Sequence, residues 1–377
     1  MRPALLILPL LTPVALVACS ASPPPDADGA VTVSSSDSAC DVSATTIPAG
    51  PTTFSVTNTG NQVTEFYLLR EDGQAIVSEV ENIGPGITRD LVIQAQPGTY
   101  VTACKPGMTG DGIRAEFTVT GDATTTGDTT AEVTAATTTY TRYVKEQTAQ
   151  LVAGTKQFAD AYVAGDDKQA RELYAPTRAY WESIEPVAES FGDLDPRLDL
   201  READLEEGQV WTGWHRIEKD LWPPSGYRAL TEQQRQKLAD QLVADTRELA
   251  DRVDTLELSI DQIGNGAKEL LDEVATGKVT GEEEYWSHTD LYDFAANVAG
   301  AKVMVNAVRP ILVEKDPALA TKLDERFAQL QKTLDRYRDG DGYVSYTDLT
   351  PQQVKELAAQ VDALGEPLSQ VTAVVLR

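Results

Sequence analysis

The apolar positions change rhythm once along the chain. From about residue 31 to residue 121 they come in short bursts: "TFSVTNTG", "TEFYLLR", "AIVSEVENI", "ITRDLVIQA", "GTYVTACK" and "IRAEFTVTG". These runs are rich in Val, Ile, Thr, Phe and Tyr, and Gly, Pro, Asn and Asp divide them. Strand side chains alternate between faces, so short runs bounded by turn residues predict an antiparallel β-sandwich. From about Tyr140 the interval lengthens to three, four or seven. The clearest case is 231–275, where Leu238, Leu242, Leu249, Val253, Leu256, Ile260 and Ile263 form one stripe opposite Asp, Glu, Arg and Lys. Thr231 with Gln234 supplies a capping box at its start. Helices are expected over 140–164, 167–189, 200–222, 231–275, 281–314, 317–338 and 351–376. Their mostly short connections imply an up-and-down bundle. The fold class is therefore two-domain α+β, with a sandwich over 31–121 and an all-α domain over 140–377. A Thr-rich, low-complexity linker over 122–139 joins them.

The N-terminus adds an address. Residues 1–18 form a short apolar run with Arg2 in front, ending in "LVAC". Such a run is too short to span a bilayer and reads as a secretory signal peptide. "LVAC" matches a bacterial lipobox, which predicts lipidation at Cys19 and a tether over 19–30. The mature chain is then extracytoplasmic and lipid-anchored to the outer face of the cell membrane, without crossing it. A formal net charge of -27 argues against nucleic acid, whose phosphates need Lys and Arg. It suits solubility and the attraction of cations.

Candidate chemistry lies on the helices. Residues three apart differ by roughly 60° around a helix, so His215 and Glu218 in "TGWHRIEKDLW" share a face. Glu182 and Glu185 in "YWESIEPVAE" repeat the spacing, and "EEEYWSHTDLYDF" sets Glu284 four residues before His288, with Asp290 next. Taken alone, each pair also fits a solvated face, or a core histidine in the case of His215. Together they match the carboxylate and imidazole sets that hold iron or manganese inside bundles. A zincin would need a second histidine where Lys219 stands, which argues against a metallopeptidase. In the β region Cys104 and Met108 resemble part of a blue-copper set, but that region has no histidine. Cys40, Cys104 and Glu65, with Glu79 or Asp90, remain either a different metal site or, for the two cysteines, a disulfide. In "YRDGDGYVSYTDL" an EF-hand register puts Tyr337 at the first ligand position, so a polar turn fits better.

The stretches "TGWHRIEKDLW", "YWESIEPVAE", "YWSHTDLYDFAANVAGA" and "CKPGMTGDGIR" together resemble the EfeO family of iron uptake proteins. The resemblance covers nearly all of the chain after the tether. It implies an N-terminal cupredoxin-like domain and a C-terminal imelysin-like domain. The family's HxxE motif falls on His215 and Glu218, its acidic helix pair on Glu182 and Glu185, and its cupredoxin-like candidates on Cys40, Glu65 and Cys104. Iron, as Fe2+ or Fe3+, is the implied metal, with copper as the candidate for the cupredoxin-like domain. The implied partners are a membrane iron permease and a haem-dependent peroxidase, and the protein itself is not expected to be an enzyme. The alternatives are an imelysin-like metallopeptidase and an acidic-polysaccharide-binding protein. The net charge disfavours the second unless cations bridge the polymer.

Overall fold

The computed structural model describes residues 30–122, 131–205 and 207–376. The signal peptide, Cys19 and most of the tether expected from the sequence lie outside these residues.

The first strands are β1 (Val31–Ser35), β2 (Cys40–Val42), β3 (Thr46–Pro48) and β4 (Gly50–Asn58). They are followed by β5 (Thr64–Arg70), β6 (Ile76–Ile83), β7 (Thr88–Ala95), β8 (Gly98–Cys104) and β9 (Ile113–Thr120). One sheet has the order β2-β1-β4-β7 and the other β3-β9-β8-β5-β6. Along β4, buried and less buried residues alternate, which turns Phe54 and Val56 inward. Phe54 meets Phe66 and Phe117 at ring-centroid distances of 5.3 and 5.4 Å in the sandwich core. The antiparallel expectation fits most of the pairings, but β1 runs parallel to β4 and β3 parallel to β9. The short first strands cross between sheets, and the hydrophobic alternation carries no direction of pairing.

Helix α1 (Ala131–Val163) begins inside the stretch expected to be linker. Val133 and Ala136 are buried in the bundle core there, so packing overrides the weak helix propensity of the surrounding threonines. After it come α2 (Asp167–Glu182), α3 (Glu185–Glu189), α4 (Asp195–Leu198) and α5 (Gly213–Leu221). The remainder are α6 (Glu232–Asp254), α7 (Ile260–Thr276), α8 (Asp290–Lys315), α9 (Pro317–Leu334), α10 (Pro351–Leu368) and α11 (Val371–Leu376). Helix α1 packs along both α2 and α6, α9 along α10, and α8 is buried among α1, α2, α7 and α9. No helix among the described residues is long and apolar enough to cross a membrane.

The helices expected over 167–189 and 351–376 are each interrupted, between Glu182 and Glu185 and between Leu368 and Val371, and three others differ more. The run over 231–275 breaks after Asp254, and Ser259 with Gln262 starts α7 through a hydrogen bond from Ser259 N to Gln262 Oε1 of 2.9 Å. Most of 200–222 is irregular, and α5 starts only at Gly213. Residues 283–287 form turns instead of the first turns of a helix, so α8 starts at Asp290. The "YRDGDGYVSYTDL" stretch is a tight two-strand turn, Arg338–Asp339 pairing with Gly342–Tyr343.

The β region and the bundle meet through polar contacts. Asn265 on α7 donates to Ser78 Oγ and to Val92 O, both at 3.0 Å, and Gln94 N donates to Asp261 Oδ2 at 2.9 Å.

Candidate metal centre

The irregular stretches of the bundle converge at one place. Gly213, at φ +83°, opens α5 so closely against the end of α4 that a Cβ there would lie 2.1 Å from Leu198 O. Thr212 Oγ1 donates to Arg197 O at 2.8 Å and Trp211 Nε1 to Leu200 O at 2.7 Å. These contacts hold Asp199 beside α5, where Trp181 Nε1 donates to Asp199 Oδ2 at 2.7 Å. His215, in the first turn of α5, then has its Nε2 3.4 Å from Asp199 Oδ1 and 3.5 Å from Glu283 Oε1. Its Nδ1 lies 3.2 Å from Glu218 Oε2.

Glu218 explains the missing first turns of α8. Its Oε1 accepts from Trp286 N at 2.9 Å and Ser287 N at 2.7 Å, amides that a helix would have spent internally. The turn brings Glu283 and Glu284 into the cluster. Glu284 Oε2 accepts from Ser287 Oγ at 2.8 Å, and Glu284 Oε1 from Tyr174 Oη at 3.3 Å. From α8 come Asp290, Asp293 and Asn297, all essentially inaccessible to solvent.

Two cations stand inside this group. Arg178 on α2 is fully buried, pairs with Glu182 and Asp199, and approaches Glu284 at 2.6 Å and Glu283 at 3.5 Å. Lys278 Nζ lies 2.8 Å from both Glu182 Oε2 and Glu185 Oε2. Even so, several acceptors are left over. Asp290 Oδ2, both oxygens of Asp293 and Asn297 Oδ1 make no hydrogen bond among the described residues, and His215 Nε2 has only its ion-pair contacts to Asp199 and Glu283.

The electrostatics follow from this crowding. Burial, with Glu218 next to it, pushes the Glu284 carboxyl well above the usual range. Burial, with Glu182 and Glu284 near, does the same to Asp293, and burial raises Asp290 to about 6. For Glu283, burial is outweighed by Lys278, His215 and Arg201, which hold it well below the usual range. For His215, burial and Arg178 oppose protonation, but Asp199, Glu218 and Glu283 prevail and raise it well above an ordinary imidazole.

Of the residues singled out in the sequence, His215, Glu218, Glu284, Glu182 and Glu185 enter the cluster. Three groups have ligand atoms within 4.8 Å of one another: Asp199, His215 and Glu283; His215, Glu218 and Glu284; Glu182, Glu185 and Asp199. Glu182 and Glu185 thus reach His215 only by way of Asp199. His288 does not join these groups. It sits at φ +58° with its amide on Glu284 O, in the turn that replaces the expected helix. Trp214 packs on Phe158 and Trp222 on Tyr174, as packing residues of α5.

In the β region Cys40 and Cys104 are joined in a disulfide, which corrects the reading of either as a thiolate ligand. A disulfide sulfur has no thiolate charge to offer a metal. Glu65 is buried there, accepting from Tyr67 Oη at 2.8 Å.

Asp199, Glu283, Asp293, Arg178 and Lys278 were not singled out from the sequence. Arg178 had a signal, standing one turn before Glu182. Asp199 falls between two expected helices and Glu283 in the first turn of the one expected over 281–314, and neither had a partner at helical spacing that marked it.

A family model described as Imelysin matches residues 136–371, and one described as Cupredoxin-like domain matches residues 9–119. The chain is 38% identical over 351 residues to the iron uptake system component EfeO of Escherichia coli (strain UTI89 / UPEC), covering 92% of this chain and 91% of the relative. The protein of the same name from Yersinia pestis matches with the same identity and coverage. That of Yersinia pseudotuberculosis serotype I (strain IP32953) is 38% identical over 353 residues, again with 92% and 91% covered.

Proposed function

The chain belongs to the EfeO family, and we propose that it captures iron outside the cytoplasm and holds it in the buried carboxylate cluster around His215. The observation that carries this reading is an imbalance of charge. Glu182, Glu185, Asp199, Glu218, Glu283, Glu284, Asp290 and Asp293 are all buried together, and the positive groups that face them among the described residues are fewer: Arg178, Lys278 and His215 inside, with the partly exposed Arg201 reaching Glu283 at 3.4 Å. An uncompensated buried charge costs several kcal/mol. Protons relieve it in part, at Asp290, Asp293 and Glu284. A multivalent cation relieves it better, and the leftover acceptors are the groups it would satisfy. Oxygen donors with one imidazole suit ferrous or ferric iron and disfavour copper(I), which prefers sulfur.

Capture must be reversible if iron is to be passed on. Arg178 and Lys278 supply the reversibility, because each competes for carboxylates that an incoming ion needs. The recipient in this reading is a membrane permease, with a haem-dependent peroxidase as the third component. Cys19 would carry the lipid that keeps the protein at the outer face of the membrane.

We propose binding and not peptide hydrolysis. Glu218, the only glutamate placed to act as a base on the HxxE motif, has one oxygen on two backbone amides and the other on His215. A general base needs a free lone pair facing a water. We propose no copper in the β region, where Cys40 and Cys104 are in the disulfide and no histidine lies between residues 31 and 121.

Calorimetric titration with ferrous iron under anaerobic conditions, and with ferric iron, tests this. The parent should bind, and the double variant His215→Ala, Glu218→Ala should not. Equal affinity in the two would remove the cluster from the account.

A further inference from the structure

Building on the iron reading above, we propose that His215 meets the metal through Nε2, together with Asp199 and Glu283, while Glu218 steers the ring and stays off the metal. The HxxE spacing by itself suggests that His215 and Glu218 ligate as a pair. The contacts divide them. On the Nδ1 side, Glu218 Oε2 takes the ring nitrogen and Glu218 Oε1 takes the amides of Trp286 and Ser287. Glu284, the next oxygen donor on that side, is held by Ser287 Oγ and Tyr174 Oη. These donors are neutral, and the amides are fixed in backbone, so a cation arriving there would leave buried N–H groups unpaired.

On the Nε2 side the situation is reversed. Nε2 makes no hydrogen bond, and it faces Asp199 Oδ1 and Glu283 Oε1 at 3.4 and 3.5 Å. What occupies those two oxygens is a cation, the Arg178 guanidinium. A metal ion can take over its electrostatic role, and the side chain can swing toward Glu182 and Asp293, which it already approaches. A histidine that ligates through one nitrogen commonly gives its other N–H to a carboxylate, which fixes ring orientation and tautomer. Glu218 is built for that second task.

The chain has only two histidines, so the ring nitrogens can be read directly. Histidine labelled with 15N would be followed by NMR while Zn2+ is added as a diamagnetic probe, with His288→Asn used to leave His215 alone. Asparagine tolerates the left-handed backbone at position 288. Metal-induced displacement of the Nε2 resonance, with Nδ1 keeping its proton, is the expected result. Metallation of Nδ1 would overturn the proposal. Zn2+ binding that moves neither ring nitrogen would instead sink the placement of the site at His215, and absence of binding would sink the metal reading itself.

Glu218→Gln supplies a second readout. Its amide oxygen stays with Trp286 N and Ser287 N, so its NH2 faces Nδ1 and drives the proton to Nε2. Zn2+ affinity should fall about 10–100-fold with the ring in the opposite tautomer. Asp199→Asn and Glu283→Gln should lower affinity while Zn2+, once bound, still displaces the Nε2 resonance and leaves the proton on Nδ1. The ring assignment in the protein with native Glu218 stands even where Glu218→Gln does not fold.

Discussion

In the β region, Glu65 and Glu81 close on the hydroxyl of Tyr67, with Glu79 beside them. In the bundle, Glu182, Asp199, Glu283 and Glu284 close on the guanidinium of Arg178. Tyr67, Glu79 and Glu81 line a cleft of about 560 Å3 between the two regions, and Lys105 Nζ lies 4.3 Å over the Tyr67 ring. Burial and the carboxylates Glu79, Glu81 and Glu65 hold the Tyr67 phenol well above its ordinary range, so its hydroxyl remains a neutral donor. The bundle cluster is sealed from solvent, contains the histidine and carries its own cations. Glu65 and Glu79 are themselves buried, but half-buried Glu81 opens the β group to the water of the cleft. Acidic side chains in a sealed core must be answered by a buried positive charge. A negative sequence charge therefore says little about where a cation sits, and the enclosure of that charge says much more.

Four experiments press on this contrast. The largest effect is expected from Arg178→Gln, which strips the core cluster of its central charge. Stability without metal should fall by about 3–5 kcal/mol. The rise in melting temperature on adding iron should be larger than in the parent, since a competitor has gone. A smaller iron-induced shift would mean that Arg178 supports the site and does not compete for it.

Next comes the β region's own support. Cys40 and Cys104 are 64 residues apart, and closing such a loop stabilises by about 4 kcal/mol in the chain-entropy model. Cys40→Ser with Cys104→Ser should lose up to that amount in denaturant unfolding while iron titration of the folded variant is unchanged. Loss of iron binding in the folded variant would tie the two regions chemically.

The third is a pH series. Asp290, at about 6 in the folded chain against 3.8 for an ordinary Asp, binds more protons when folded. Its contribution to metal-free stability is full below about pH 4 and is lost as pH rises through about 6. Glu284 and Asp293 shift in the same direction. Iron must displace these protons, so affinity should rise between pH 5 and pH 7, by up to about tenfold per pH unit for each proton released. Calorimetry in buffers of different ionisation enthalpy counts those protons, and a count of zero would contradict the assignment. Last, Glu65→Gln should leave iron affinity within experimental error, because its partner is a phenol in the other region. A clear drop there would erase the distinction between the clusters.

The sequence made the periodic parts of this arrangement legible. The i, i+3 pairs Glu182/Glu185 and His215/Glu218 both reach the cluster, and the six strands β4 to β9 coincide with the apolar bursts. What it concealed was anything set by long-range packing. Asp199 is aligned by a glycine contact and by tryptophan indoles. Glu283 is delivered by a turn that Glu218 holds open from 68 and 69 residues away. The parallel pairing of β1 with β4 leaves no trace in alternation. Helix 281–314 read too long for a related reason, since local spacing cannot reveal that a distant carboxylate claims the amides of its first turn.

Gly213 has a consequence for how this protein tolerates change. Position 213 bears no ligand atom and carries no charge, yet a single methyl group there would collide with Leu198 O and would have to be borne at a left-handed φ. The relief open to the chain is to move α5 away from the end of α4, which widens the gap between His215 and Asp199. Metal affinity can thus be detuned from a site that chemistry would pass over, by steric displacement alone. Screening substitutions at glycine 213 would yield a graded series of loosened grips with every donor atom still present.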